Sequence, residues 1–235
     1  MLLFYVRHGE PTYVPDELTY LGQRQAEAVA KRLTMFGIDK IYASTSTRAI
    51  QTATPTAKIL RKEITTLPFA HEDLMRKDFV YDNGRYWVFQ SPTGKKLLSS
   101  PEVLALGHKW HTHEYFKDQT YTAGVERLDR ETDEFLLSLG YRHIRGTATY
   151  EVVEENNDRV AFFAHHGFGV GFLSSMLDIP FPLFSMHFNM DWTGVTVIDF
   201  KNENGIAYPQ VLTFSDDSHL YKEGLLVGYN KEVRF

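Results

Sequence analysis

Cysteine is absent from this 235-residue chain, which excludes disulfides, thiolate nucleophiles and any zinc site built on sulfur. A chain without disulfides suits a reducing compartment. No window approaches the roughly 18 consecutive apolar residues of a membrane-spanning helix. The N-terminus also lacks the basic stretch and long apolar run of a secretory signal. The expected location is therefore the cytoplasm, with no membrane partner. Cations are in deficit: 25 Lys and Arg stand against 30 Asp and Glu, a net charge of -5. That balance argues against a nucleic-acid partner or an anionic membrane surface, either of which calls for a basic face. It leaves room for a small anion, which needs only two or three local cations.

What is present describes a protein able to bury a substantial core, with 43% hydrophobic and 23% charged residues. Aromatics are plentiful, with 17 Phe, 13 Tyr and 3 Trp, and many of them crowd into residues 79–121. The spacing predicts a buried strand over Leu2–Val6 and a helix capped by Thr19 with Ala26, Val29, Ala30 and Leu33 on one face. A strand over Ile38–Ala43 follows, then a helix from about Thr47 that Pro55 should bend or shorten. Further strands are expected over Ile64–Leu67 and Val160–Ala164, and late ones over Val195–Phe200 and Gln210–Phe214. Helices are expected over about Val125–Leu139 and Phe168–Leu177. Alternating strands and helices imply an α/β fold, a three-layer αβα sandwich on a mostly parallel central sheet. No low-complexity linker divides the chain, so residues 1–235 read as one domain with an aromatic-rich helical insertion, or cap, at approximately 79–121.

Two apolar strands end alike, FYV-RHG at 4–9 and FFA-HHG at 162–167. In open α/β sheets ligands bind beyond the carboxyl ends of the strands. If these two strands are parallel neighbours, His8 and His165 emerge on one edge of the sheet. Gly9 and Gly167 would then let the backbone turn and approach a ligand. STSTRAIQTA, from 44 to 53, places Arg48 at the start of a helix that also follows a strand, where backbone N–H groups favour an oxyanion. Two arginines and two histidines around one point suit a tetrahedral dianion. A histidine held there can attack phosphorus through a ring nitrogen.

RHGE at 7–10, LTYLGQRQA at 18–26, YASTSTRAIQTA at 42–53 and AHHGFG at 164–169 together resemble the histidine phosphatase superfamily, also called the phosphoglycerate mutase-like family. The resemblance implies His8 as the phosphorylated nucleophile, Arg7 and Arg48 as ligands of the phosphoryl oxygens, and His165 as the second catalytic histidine. His166 falls where many relatives have glycine. The family's proton donor follows the third strand, where LPFAHEDLMRKD offers Glu72, Asp73 and Asp78; Glu72, twenty residues after Thr52, matches best. The implied activity is phosphomonoester hydrolysis of the histidine acid phosphatase type, acting on a small phosphorylated metabolite with no metal or other cofactor. The alternatives are a phosphoglycerate mutase-type isomerase and a catalytically silent phosphoester- or protein-binding module.

The chain departs from the family at Pro11 and Val14, where relatives carry a hydroxyl and an amide that reach the phosphate. Thr12, Tyr13 or a backbone N–H are the expected substitutes, so Arg7, Arg48, Gly9, Thr12 and His166 form the expected substrate-binding set. HKWHTHE, from 108 to 114, reads either as a zinc site or, in the ordinary explanation, as the edge of an aromatic lid.

Overall fold

The computed structural model describes residues 1–81, 83–117, 119–225 and 227. Six strands form the central sheet: β1 (Leu2–Arg7), β2 (Lys40–Ser44), β3 (Ile64–Leu67), β4 (Arg159–Ala164), β5 (Val195–Asp199) and β6 (Gln210–Asp216). Their spatial order is β6-β5-β1-β4-β2-β3. The four strands from β1 to β3 in that order run parallel, while β5 and β6 attach antiparallel at the β1 edge. The sheet is thus mostly parallel, as the alternation of elements implied.

Both faces of the sheet are covered because side chains alternate along each strand. Leu3 and Tyr5 of β1, with Val160, Phe162 and Ala164 of β4, belong to one apolar cluster. Phe4, Val6, Ala161 and Phe163 belong to the other. The second cluster is closed by α1 (Tyr20–Thr34) and α2 (Thr47–Leu60) through Val29, Leu33, Ala53 and Ala57. On the opposite face, α3 (Glu72–Asp78), α4 (Tyr121–Ser138) and α5 (His166–Met176) contribute Met75, Phe135, Leu136, Phe168 and Phe172. Phe162 sits at the middle of that layer, 5.1 Å from the Phe135 ring, 5.7 Å from Phe168 and 5.4 Å from Phe172. Burying each such ring is worth about 1.5–3 kcal/mol, so the aromatic layer outweighs any single polar contact in the site it supports.

Several local expectations change. Pro55 lies inside α2 without ending it; Thr54 Oγ1 donates to the Ile50 carbonyl beside it, and the helix continues to Leu60. The helix α5 begins at His166, two residues earlier than its apolar periodicity suggests, which puts His165 at its N-cap. Residues 79–121 hold a short hairpin (Val80–Tyr81 with Tyr86–Trp87), the helices Pro92–Leu98 and Pro101–Ala105, and two 3-10 turns. Their aromatics pack into the larger apolar cluster: Trp110 stacks on Phe181 at 5.2 Å and meets Phe116 at 5.2 Å. Among the described residues, no helix is long and apolar enough to cross a membrane.

The loop after β1 is fixed by a backbone-to-backbone approach. A Cβ on Gly22, in the first turn of α1, would lie 2.1 Å from the Glu10 carbonyl oxygen, and one on Gly9 would lie 2.6 Å from the Gly22 carbonyl oxygen. Neither obstacle is a side chain that can swing aside. Gly22→Ala is therefore expected to lower stability by roughly 1–3 kcal/mol, the usual cost of overpacking, as read from urea denaturation midpoints. A midpoint equal to that of the unaltered protein would show that α1 can shift freely against the loop.

Candidate active site

The register between β1 and β4 pairs Arg7 with Ala164, so the residues that follow, His8 and His165, leave the sheet side by side. Their ring centroids are 5.2 Å apart. β2 lies on the far side of β4 and delivers Ser44, Ser46 and, on the first turn of α2, Arg48 to the same edge. The cavity there has a volume of about 270 Å³ and is lined by Arg7, His8, Tyr13, Arg48, Glu72, Arg76, Trp87, Gln90, His166 and Gly167.

His8 is buried, and its Nδ1 lies 2.7 Å from the Gly9 carbonyl oxygen. A carbonyl only accepts, so Nδ1 carries the proton and Nε2 keeps its lone pair. Burial, with Arg7 adding to it, holds the His8 pKa well below the usual imidazole range. The ring is therefore a neutral base with a free nitrogen.

His165 is held from both ring nitrogens. Arg48 donates from Nη2 to Nδ1 at 3.0 Å. Because a guanidinium has no acceptor, Nδ1 is unprotonated and Nε2 donates to Ser44 Oγ at 2.8 Å, with Ser46 Oγ at 3.2 Å. Burial and the neighbouring His8 hold this pKa well below the usual imidazole range too. The Tyr5 hydroxyl donates to the His165 carbonyl at 2.6 Å, tying the histidine backbone to the aromatic layer.

Glu72 enters from the start of α3. Its Oε2 lies 3.2 Å from His165 Nδ1, and its Oε1 accepts from the Phe168 N–H at 3.2 Å. Burial raises its pKa to about 7, against the opposing pull of Arg48 and Arg7. The lone pair of Nδ1 is already taken by Arg48, so a carboxylate oxygen beside it would be repelled, and a raised pKa relieves that repulsion by keeping the carboxyl protonated at acid pH. Gly167 makes the approach possible, since a Cβ there would lie 2.4 Å from Glu72 Oε1 and 2.8 Å from the Trp87 ring. Asp78, the other acid considered, ends α3 outside the cavity and accepts from Arg127 Nε at 2.9 Å.

The two guanidiniums are anchored differently. Arg7 donates from Nη1 to the Met190 carbonyl at 2.6 Å and sits 6.0 Å from the Trp192 ring. Arg48 pairs with Asp16, whose second carboxylate oxygen accepts from the Thr47 N–H at 2.8 Å. In both arginines the buried Nε–H has no acceptor among the described residues, which is costly unless a ligand oxygen accepts it.

Two members of the expected binding set stand elsewhere. Thr12 lies in the hairpin formed by Pro11–Tyr13 and Asp16–Leu18, and its hydroxyl donates to the Pro15 carbonyl at 2.7 Å. Alternation along the strand sends Thr12 and Tyr13 to opposite faces, so Tyr13 is the residue that lines the cavity, its ring 5.5 Å from the Arg48 guanidinium. Gly9 does not line the cavity; its N–H donates to Thr52 Oγ1 at 3.0 Å, and its missing side chain serves the contact with Gly22. His166 does line it, with an Nδ1 that has no partner among the described residues and a pKa lowered by burial to about 3. Glu10 closes the loop, accepting from the Thr19 hydroxyl at 2.8 Å.

Sequence reasoning missed Asp16, Ser44 and Ser46 as partners of the charged core, and Arg76 and Gln90 as cavity walls. Asp16 had a visible signal: an acid in a short loop between two cationic motifs. The ligating atoms of His8, Glu72 and His165 lie within 4.8 Å of one another, and among the described residues no other such group of three forms. HKWHTHE thus makes no metal cluster: His111 meets the Thr122 hydroxyl, and His113 Nδ1 accepts from the Tyr115 N–H. The guanidinium already on His165 Nδ1 opposes a cation at the central trio.

Residues 3–75 match the model of the histidine phosphatase superfamily (branch 1). The fold agrees across nearly the whole chain. Phosphoserine phosphatase from Entamoeba histolytica superposes with a TM-score of 0.61 at 21% identity, covering 93% of this chain and 98% of the other. The chain is thus similar to the histidine phosphatase superfamily over residues 3–75 and shares the fold of this phosphatase over nearly its whole length. Two further solved structures share this fold. Mycobacterial glucosyl-3-phosphoglycerate phosphatase has a TM-score of 0.57 at 15% identity, over 91% of this chain and 98% of the other. A putative α-ribazole-5′-P phosphatase from Escherichia coli has a TM-score of 0.56 at 16% identity, over 92% and 98%. No curated protein matches the chain in sequence.

Because Arg48 bonds Asp16 and His165 through separate nitrogens, a lysine cannot replace it. Arg48→Lys is expected to weaken inorganic phosphate binding by about tenfold or more, in line with the roughly 1.5–3 kcal/mol of a charged hydrogen bond. Isothermal titration calorimetry reads the change; equal affinity in the two proteins would place the anion away from Arg48.

Proposed function

We propose that this chain is a member of the histidine phosphatase superfamily that hydrolyses small phosphomonoesters through a phosphohistidine on His8. The observation that carries the reading is the fixed tautomer of His8, whose Nδ1–H is spent on the Gly9 carbonyl while Nε2 stays unprotonated beside two arginines. The superfamily match and the phosphatases among the structural neighbours support it.

In the first step His8 Nε2 attacks phosphorus, forming the N–P bond as the ester P–O bond breaks. Arg7 and Arg48 take the charge on the equatorial oxygens. Protonated Glu72 gives its proton to the departing alcohol oxygen. In the second step the Glu72 carboxylate takes a proton from water, the water oxygen attacks phosphorus, and the N–P bond breaks to release phosphate and neutral His8. His165, fixed by Arg48 and Ser44, holds Glu72 and the guanidinium in place. A bound phosphoryl dianion adds negative charge beside Glu72 and holds its proton more tightly.

The pH dependence follows in sign. A proton donor raised to about 7 is present below that pH and lost above it, so hydrolysis of alkyl phosphates falls on the alkaline side. The depressed His8 pKa keeps the nucleophile neutral well into acid, so the optimum lies on the acid side of neutrality. In Glu72→Gln the alkaline limb disappears and alkyl phosphate turnover drops by about 10²–10⁴-fold, with a smaller drop for p-nitrophenyl phosphate, whose leaving group needs less protonation. Retention of the limb in the variant would remove Glu72 from this role.

His8→Ala is expected to abolish turnover of every phosphomonoester and to prevent the acid-labile ³²P label that the unaltered protein acquires from labelled substrate. Turnover by the variant at the original rate would overturn the nucleophile assignment.

A further inference from the structure

The backbone of Arg7 and His8 is held by a turn far along the chain. The ladder between β1 and β5 ends at Val6 and Val195, and past that point the turn before β5 takes over. The Thr193 N–H donates to the Arg7 carbonyl at 3.0 Å and to the His8 carbonyl at 3.3 Å, while the Arg7 N–H donates to the Gly194 carbonyl at 3.4 Å. The same segment supplies the Met190 carbonyl that accepts from Arg7 Nη1 and the Trp192 ring beside the guanidinium. Main chain and side chain of Arg7 are thus both held by residues 190–194.

Thr193 makes these bonds from an unfavourable conformation. Its φ is 52°, in the left-handed region where a β-branched residue is an outlier, and it is fully buried. Such strain persists only where the surroundings over-determine it, and it gathers at functional sites. Here the surroundings include a second buried histidine. The Thr193 hydroxyl has one proton, donated to the Trp192 carbonyl at 2.7 Å, so Thr193 Oγ1 accepts from His219 Nε2 at 3.0 Å. Burial, with Arg32 adding to it, lowers the His219 pKa to about 4. The neutral ring with its proton on Nε2 then turns an unprotonated Nδ1 to Arg32 Nη1, at 3.5 Å. Arg32 is fixed in turn by Asp216, through Nη2 to Oδ2 at 2.9 Å and Nη1 to the carbonyl at 3.0 Å. The arrangement repeats the one at His165, where a guanidinium on Nδ1 directs Nε2–H to a hydroxyl.

We infer that His219 and Thr193 are positioning residues of the phosphoryl site: His219, from the short helix Ser218–Lys222, holds Thr193 in its left-handed turn, and that turn aims Arg7 and His8. Neither side chain lines the cavity, so both act through the residues they hold. The inference rests on the proposed phosphatase reading and extends it to a segment outside the site.

Removing one partner of the His219–Thr193 bond leaves a buried polar atom unpaired, whereas replacing both by apolar groups restores stability. The informative variants are His219→Leu, Thr193→Val and the two combined. His219→Gln is the conservative replacement, since its amide can donate to Thr193 and accept from Arg32. Calorimetry reads the affinity for inorganic phosphate, beside p-nitrophenyl phosphate turnover and thermal midpoints. Each single variant is expected to weaken phosphate binding by about tenfold or more and to lower kcat/KM at least as much, because a displacement of about 1 Å can cost about 10²-fold in rate. The double variant should regain thermal stability without regaining affinity, and His219→Gln should retain most of the affinity. Affinity that returns with stability in the double variant would overturn the inference. So would single variants whose binding stoichiometry falls while their affinity stays unchanged, since that marks a loss of folded protein alone. If the unaltered protein binds phosphate but turns over no phosphomonoester, the phosphatase reading fails by itself and the affinities still decide the positioning. If it does neither, the ¹⁵N signals of the His8 ring decide: a shift or doubling in the double variant upholds the positioning, and signals identical to those of the unaltered protein overturn it.

Discussion

The in-register parallel pairing of Leu2–Arg7 with Arg159–Ala164 is the constraint on which the site depends. Because Arg7 lies opposite Ala164, the two histidines that follow leave the sheet at the same level, with ring centroids 5.2 Å apart. A slip of β1 by one residue would turn Tyr5 away from the aromatic layer and send Phe4 into it. The register is therefore paid for by apolar burial on both sides of the sheet, and the polar site inherits its precision from packing that takes no part in the chemistry.

That inheritance explains how so much charge is held in a small volume. Neutral His8 and His165, a carboxyl with a pKa near 7 and two arginines lie around a cavity of about 270 Å³. Burial depresses both imidazole pKa values and raises that of Glu72, so desolvation sets the protonation states and the arginines moderate them. The Asp16–Arg48 pair offsets one cation and fixes its direction. Asp16 reaches Arg48 from the Pro11–Leu18 hairpin, the segment in which the superfamily's usual phosphate-touching hydroxyl is missing. Pro11 thus does not replace that hydroxyl atom for atom; the hairpin it begins brings Tyr13 and Asp16 to Arg48 instead.

The readability of the chain varied with the range of the interactions. Strand positions and the cap at Thr19 were legible because they express local periodicity and backbone conformation. Arg7, His8, Arg48 and His165 were legible because each follows an apolar strand or opens the helix after it. Thr12 was misassigned because a short hairpin sends adjacent side chains to opposite faces, and which face meets the cavity depends on how the hairpin docks. Gly9 was read as room for a ligand, whereas the fold uses it as room for Gly22. Arg76 and Gln90 gave no signal, since a polar residue in an irregular segment looks the same whether it faces solvent or a cavity.

By itself the sequence determined the α/β alternation, the strand-end histidines and arginines, and the resemblance that joins them, since all of these are carried by residues close together in the chain. Only the tertiary structure decided that Glu72 rather than Asp78 meets His165, that Ser44 and Arg48 set the His165 tautomer, and that Asp16 rather than Thr12 completes the Arg48 site. Each of those outcomes depends on contacts between segments some thirty to well over a hundred residues apart, and such contacts exist only once burial of the two apolar faces has fixed which strand lies beside which.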